Sequence, residues 1–429
     1  MAALGMSAAP VEERSTVSDL PSVTLPSSDT DFTDPDLLLA GTPAAEFAVL
    51  RKTAPVWWNA QPATSAVFGD DGFWVISRHR DVKQVSRDHE VWSTNAKGAV
   101  IRYGPLMTPD ELELTKALLI NHDPPAHTRL RSLVSRLFTP RAIAALEATL
   151  RDAAQRIVTA AAAKPSGDFV QDVAINLPLQ AIADLIGVPE ADRAQVFDWA
   201  NSILNAEDPD STDDPASANI NLVGYAYAMA EDRRAHPRED IVTRLVQVNA
   251  DGEALTDAEF AFFVILLAVA GNETTRNAIT HGMNAFLDNP DQWELFKKQR
   301  PATAVDEIIR WATPVRCFQR TALRDTEIAG TAIAEGQRVG LFYSSANFDD
   351  EVFDEPFGFD ILRSPNPHLA FGGTGAHFCI GANLARMELR LMFDAIADHM
   401  PDVTKLGEPQ PVRSSWINGV KRFDVAYHR

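Results

Sequence analysis

One of the two cysteines of this chain stands in the segment Phe371-Gly-Gly-Thr-Gly-Ala-His-Phe-Cys379-Ile-Gly381, directly before a stretch with helical periodicity. A lone cysteine ahead of a helix ordinarily reads as a small buried hydrophobe. Four glycines around one thiol fit that reading poorly. Gly372, Gly373, Gly375 and Gly381 let the backbone approach a flat partner and take positive φ at no steric cost. The unpaired N–H groups and positive dipole end of the next helix would face the sulfur and favour its thiolate. The chemistry suggested is a thiolate that binds a metal.

Three further clusters bear on that chemistry. Glu307-Ile-Ile-Arg310 sets a carboxylate and a guanidinium on one helix face. In isolation this is an ordinary surface ion pair. Ala270-Gly-Asn-Glu-Thr-Thr275 interrupts the most apolar helical run of the chain. Gly271 costs about 1 kcal/mol relative to alanine there. Glu273 and Thr274 place an acid and an alcohol beside a buried wall, where polar groups are costly unless partnered. Either the glycine loosens the helix to make room for a small ligand, or a threonine back-bonds to the preceding turn and stabilises a kink. Finally, His127-Thr-Arg-Leu-Arg131 follows Asp123-Pro-Pro125, whose prolines fix a helix start. His127 and Arg131, four apart, share a face suited to gripping a carboxylate, or are simply solvated basic residues.

Elements must position these groups. Phe73 to Ser77 reads as a short strand. From Pro140 to about Ala206, apolar residues recur at helical spacing (Ile143, Leu146, Leu150, Ala154, Ile157), with a break at Gly187-Val-Pro189. Glu207 to Pro215 reads as an acidic loop. A long helix is predicted from Asp257 to about Leu287, apolar nearly all round between Phe260 and Ala270 and therefore central. Another covers Thr303 to Trp311. Residues 318–348 look like strands with turns at Gly330 and Gly336, and a last helix runs from about Ala382 to Met400. Helices dominate over a minor β part, with no repeat and no interdomain linker. The expectation is a flexible tail over residues 1–30 and a single domain over 31–429.

Composition sets outer bounds. A chain of 429 residues can bury a large core around one cofactor, and two cysteines are too few for a disulfide framework. A net charge of −20 argues against nucleic acid as a partner. No signal-peptide pattern is evident. The longest uncharged apolar run, Phe260 to Gly271, falls short of the roughly 20 residues of a membrane span. A soluble cytoplasmic protein is expected.

The four segments, in this order and at these separations, resemble the cytochrome P450 family of haem-thiolate monooxygenases, over about residue 31 to the C-terminus. The resemblance implies a mainly α fold with a minor β part: a triangular-prism helical domain around haem b and a small β-rich lobe. It implies Cys379 as the iron ligand, with Phe371, Gly271 and Gly381 beside the haem. His127, Arg131, Arg320 and His377 fall where the family places haem-propionate partners. Glu307, Arg310 and Arg363 would form a structural triad holding the segment that leads into the cysteine loop. Glu273 and Thr274 match the family's acid–alcohol pair, which serves proton delivery to O2. Cys317 matches no ligand position and is expected to be a packed thiol. The implied substrate wall comprises Val100, Ile101, Tyr103, Val269, Ala270, Val315, Phe318, Trp416 and Ile417. Electrons would come from a ferredoxin and its ferredoxin reductase. Arg131, Arg136, Arg141, Arg386 and Arg390 would guide the donor, or are scattered surface arginines.

One departure narrows the resemblance. Phe371 stands eight residues before Cys379, where the common pattern has seven, which leaves its packing open. The same lengthened loop occurs in the actinobacterial monooxygenases that oxidise the side chain of cholesterol and cholestenone. Ala268 to Asn277, Asp306 to Pro314, Ser345 to Phe348 and Gly375 to Arg386 also look like that group. The implied activity is terminal hydroxylation of a steroid side chain. The alternatives are a monooxygenase of methyl-branched lipids, fatty acids or terpenoids, and a non-catalytic haem-thiolate sensor or carrier. Glu273-Thr274 argues against the last, since a carrier needs no proton relay.

Overall fold

The structure is a computed structural model that describes residues 25–61, 66–104, 107–204, 214–238, 241–248 and 254–428. The tail expected over 1–30 lies outside these residues up to position 24, as does the acidic loop up to position 213. The α-helices are α1 (Pro35–Leu39), α2 (Ala44–Thr53), α3 (His79–Arg87), α4 (Pro109–Thr115), α5 (Ala126–Ser135), α6 (Pro140–Ala162), α7 (Asn176–Ile186), α8 (Glu190–Leu204), α9 (Pro215–Ala235), α10 (Ile241–Val246), α11 (Asp257–Asp288), α12 (Pro290–Gln299), α13 (Thr303–Ala312), α14 (Tyr343–Ala346) and α15 (Ala382–His399). The strands are β1 (Val56–Ala60), β2 (Gly72–Ile76), β3 (Trp92–Ser93), β4 (Ser166–Asp168), β5 (Cys317–Ala322), β6 (Thr326–Ile328), β7 (Thr331–Ile333), β8 (Arg338–Phe342), β9 (Thr404–Lys405), β10 (Gln410–Pro411), β11 (Val420–Arg422) and β12 (Asp424–Ala426).

Helix α11 organises the helical part. A capping box starts it: Glu259 N–H donates to Thr256 Oγ1, and Thr256 N–H donates to Glu259 Oε2. Asp257 and Glu259 also complement the helix dipole in its first turn. Length and composition would let α11 cross a membrane. In the fold it is instead the core helix, packed against α7, α8, α9, α13 and α15. Helix α15 lies along α6, whose Thr139 side chain caps its N-terminus and whose Ile143, Leu150, Ala154 and Val158 form the buried stripe.

The stretch from Pro140 to Ala206 is less uniform than its periodicity suggests. Between α6 and α7 lie the three-residue strand β4 and a π-helical turn over Val170–Ala174. Strand β4 exists because β12 pairs with it, setting Asp168 opposite Asp424. Three residues carry no readable alternation of their own. The main sheet has the order β1-β2-β8-β5-β3, with β2 and β8 parallel. The strand pattern expected to continue to residue 348 stops at Phe342, where the chain turns into α14.

Glu307, Arg310 and Arg363 meet inside the protein. Arg310 donates through Nε and Nη2 to both carboxylate oxygens of Glu307, each at 2.8 Å, and Arg363 Nε reaches Glu307 Oε2 at 3.1 Å. Glu307 and Arg310 have no exposed side-chain surface. Arg310 also binds the carbonyls of Asn347, Pro356 and Gly358, while Glu307 accepts from Asp360 N–H and Asn366. The pair thus ties α13 to the irregular segment that runs toward the cysteine loop.

Candidate active site

Helix α11 forms one wall of a large internal cavity through Ala270, Gly271, Thr274, Thr275 and Ala278. Ala270 is exposed in the middle of the most apolar helix because the surface it offers is cavity wall. The helix is continuous through Gly271. Thr274 Oγ1 donates to the Ala270 carbonyl at 2.7 Å, so the back-bonded threonine is the arrangement present. Gly271 serves close packing: a Cβ there would fall 2.4 Å from Cδ1 of Ile182 on α7. Glu273 is buried and does not line the cavity. Its Oε1 accepts from Arg276 and Asn277, and its Oε2 has no partner.

The cysteine loop also lines the cavity. Cys379 N–H donates to the Phe371 carbonyl at 2.9 Å, which closes the loop. Gly375 has φ +99°, and a Cβ there would lie 2.4 Å from the backbone oxygen of Ser86 at the end of α3. Gly375→Ala is therefore expected to destabilise the protein by about 1–3 kcal/mol from backbone strain alone, before the clash is counted. A chemical-denaturation midpoint checks this, and an unchanged midpoint would show that the loop is free to move off α3. The Phe371 ring, whose packing the sequence left open, lies 5.6 Å from His368 and 6.1 Å from Phe378, with the Arg386 guanidinium 4.7 Å above it.

Cys379 is accessible yet enclosed, since its open surface is cavity wall. Burial pushes its thiol up, against the Gly381 N–H and the Arg131 and Arg386 guanidiniums that pull it down. The net direction is opposite to that expected from the helix end alone. A thiolate here is favoured only with a cation at the sulfur.

At another part of the lining stand His127, Arg131, Arg320 and His377. The two imidazole rings are 4.3 Å apart, and His377 Nε2 lies 3.2 Å from Thr94 Oγ1. Burial, with help from Arg131, lowers His127 to about 4. Burial, followed by Arg320, lowers His377 to about 2. Arg320 is 5% exposed and donates to the Gln319 carbonyl. Arg131 donates to the Phe378 carbonyl. Among the described residues no carboxylate is hydrogen-bonded to any of the four. Two guanidiniums and two imidazoles without a bonded acid make a corner fit for carboxylates supplied by a ligand.

Residues 302–399 match the cytochrome P450 family. The chain is 57% identical over 397 residues to a steroid C26-monooxygenase of Rhodococcus jostii (strain RHA1), covering 92% of this chain and 84% of that one. The chain belongs to the cytochrome P450 family. It is also 43% identical over 392 residues to a methyl-branched lipid omega-hydroxylase of Mycobacterium tuberculosis (strain ATCC 25618 / H37Rv), covering 89% and 90% of the two chains. A Mycobacterium marinum cytochrome P450 solved with pseudoionone superposes with a TM-score of 0.83 at 35% identity, covering 95% of this chain and 100% of that one.

Haem b is the cofactor of this P450 family, and the donor set fits it. One thiol is available to the iron, the corner of His127, Arg131, Arg320 and His377 matches two propionates, and the glycine loop allows close approach to a flat ring. The chemistry of this enzyme class is monooxygenation of lipophilic substrates with O2.

The structure departs from the expected substrate wall. Ala270, Val315 and Phe318 line the cavity; Val100, Ile101, Tyr103, Val269, Trp416 and Ile417 do not. Ile101 packs in a core with Phe73 and Phe342, and Tyr103 faces Phe68. Val269 is one helical step from Ala270 and turns into the main core. Trp416 and Ile417 form a second layer: the Trp416 ring lies 5.9 Å from Phe318, and Ile417 bridges to Val315. Cys317 is fully buried in the sheet and is not on the wall. Leu119, Ile120, Leu266 and Leu267 are on it, with no motif to announce them. So is Glu388 of α15, whose Oε2 has no partner and whose carboxyl burial raises to about 8.

Proposed function

We propose that this P450 hydroxylates the terminal side-chain carbon of a steroid of the cholesterol or cholest-4-en-3-one type, using O2 and two electrons from a ferredoxin served by a ferredoxin reductase in the cytoplasm. The observation that carries this is the 57% identity, over nearly the whole chain, to a steroid C26-monooxygenase, against 43% to a methyl-branched lipid omega-hydroxylase. The wall formed by Phe263, Leu266, Leu267, Ala270, Val315 and Phe318 is apolar, as a sterol requires.

Haem bound on Cys379 supplies O2 activation and oxygen insertion into a C–H bond. The Cys379 sulfur holds the iron, with the Gly381 N–H directed at it. Arg131, Arg320, His127 and His377 orient the propionates. The apolar wall excludes water and presents one chain end, so that position rather than bond strength selects the carbon oxidised. Thr274, on giving up its back-bond to Ala270, would offer its hydroxyl proton into the cavity, where the haem would supply O2 activation. Glu273, on leaving Arg276, would take a proton from water at its unpartnered Oε2 and pass it on to replace the one Thr274 gives up. Of the five arginines expected to guide the electron donor, Arg131 lines the cavity, and the donor meets Arg136, Arg141, Arg386 and Arg390. Of these, Arg386 already pairs with Asp306 and Arg390 with Glu147.

Titration with cholest-4-en-3-one tests the substrate. The expected result is a low-to-high-spin shift; a shift with branched fatty acids and none with sterols would favour the lipid hydroxylase reading. Thr274→Ala should lower product formed per electron consumed by at least about tenfold while haem binding persists. Unchanged coupling would refute the role given to its hydroxyl.

A further inference from the structure

Tyr343 opens helix α14, directly after strand β8. Its side chain is 1% exposed and lines the cavity, yet its hydroxyl has no hydrogen-bond partner. An orphaned buried hydroxyl is costly, and native structures leave few of them. The buried Thr321 hydroxyl is also without a partner, but Thr321 does not line the cavity.

Neighbouring side chains fix the ring. Its edge meets Phe318 at 6.3 Å with the planes at 85°, and it packs in the cluster that holds Ala346 and Leu369. Asn347 N–H donates to the Tyr343 carbonyl, fixing the turn. The hydroxyl stands by the cysteine loop, 3.9 Å from where a Cβ on Gly372 would be. That same Cβ would lie 3.5 Å from the His377 carbonyl, Arg320 lines the same cavity, and of the charged groups Arg320 acts most strongly on the phenol. The hydroxyl therefore belongs to the same part of the lining as the guanidinium already assigned to a carboxylate.

We infer that the Tyr343 hydroxyl is a further anchor of the haem, donating a hydrogen bond to a propionate beside Arg320. Its chemistry suits the task. Burial pushes the phenol up to about 12, so it remains a donor at neutral pH. The inference rests on the haem assignment and extends the set of propionate partners from charged groups to a neutral one. Neither the sequence motifs nor the spacing of basic residues singles this tyrosine out.

The test is haem transfer from the holoenzyme to excess apomyoglobin, followed in the Soret region. Tyr343→Phe removes one oxygen and keeps the ring. Loss of a hydrogen bond to a charged acceptor should make haem leave about tenfold faster. The same comparison is then made with haem whose two propionates are methyl esters. The gap between wild type and Tyr343→Phe should shrink to within about twofold, because the charged acceptor is gone. Equal loss rates with ordinary haem would overturn the inference. Equal acceleration with both haems would overturn it too, since that pattern belongs to a general loosening of the fold. A wild-type protein that binds no haem would instead overturn the cofactor assignment, which the wild-type arm reads by itself.

Discussion

Glu307→Gln should lower the stability of this P450 by about 3–5 kcal/mol, the range for breaking a fully buried ion pair. The change keeps the shape of the side chain, removes its charge and turns one of two accepting oxygens into an N–H donor that faces other donors. Arg310 would keep its bonds to the carbonyls of Asn347, Pro356 and Gly358 but lose its counter-ion, with no exposed surface through which water could compensate. Arg363, which shares the same carboxylate, would lose it as well. A loss of this size is a large share of the roughly 5–15 kcal/mol that holds a domain together. The denaturation midpoint and the haem bound per chain should fall together, because the same residues hold the segment leading into the cysteine loop. A midpoint within the range of surface substitutions would mean that the triad does not carry this load.

Cys379→Ser should reduce hydroxylation by a factor on the order of 10³ or more. A serine hydroxyl ionises far less readily than a thiol and is a poor ligand for haem iron. The corner of His127, Arg131, Arg320 and His377, proposed to hold the propionates, is untouched by the change, so some haem should remain bound. That separation matters: retained haem with lost turnover assigns the sulfur to the chemistry, whereas lost haem alone would assign it only to binding. Turnover within tenfold of wild type would show that iron is held elsewhere.

The sequence and the structure agree best where signals are local and long. Helices α11, α13 and α15 were readable within a residue or two, since each repeats its apolar spacing over several turns. The cysteine loop was readable from its glycines: Gly372, Gly373 and Gly375 take positive φ, which leaves little choice of residue, whereas Gly381 has φ −85°. Of the main sheet, β2, β5 and β8 were readable, but β1 and β3 and the order of the strands were not: β2 and β3 find β8 and β5 far along the chain, and two residues of β3 carry no pattern. Glu273 and Thr274 read as a pair because they are adjacent in sequence, but consecutive helical residues do not share a face. The fold accordingly gives Thr274 to the cavity and Glu273 to Arg276 and Asn277. The same rotation separates Val269 from Ala270. Tyr343 and Glu388 line the cavity through tertiary placement alone, which no spacing in sequence records.

The most direct measurement is the absorption spectrum of the reduced, carbon-monoxide-bound wild-type protein. Iron held by the Cys379 thiolate places the Soret band far to the red of its position in histidine-ligated haem proteins, and that is the predicted result. A band at the histidine-type position, or no haem spectrum at all, would contradict the assignment of Cys379 and the monooxygenase reading that depends on it.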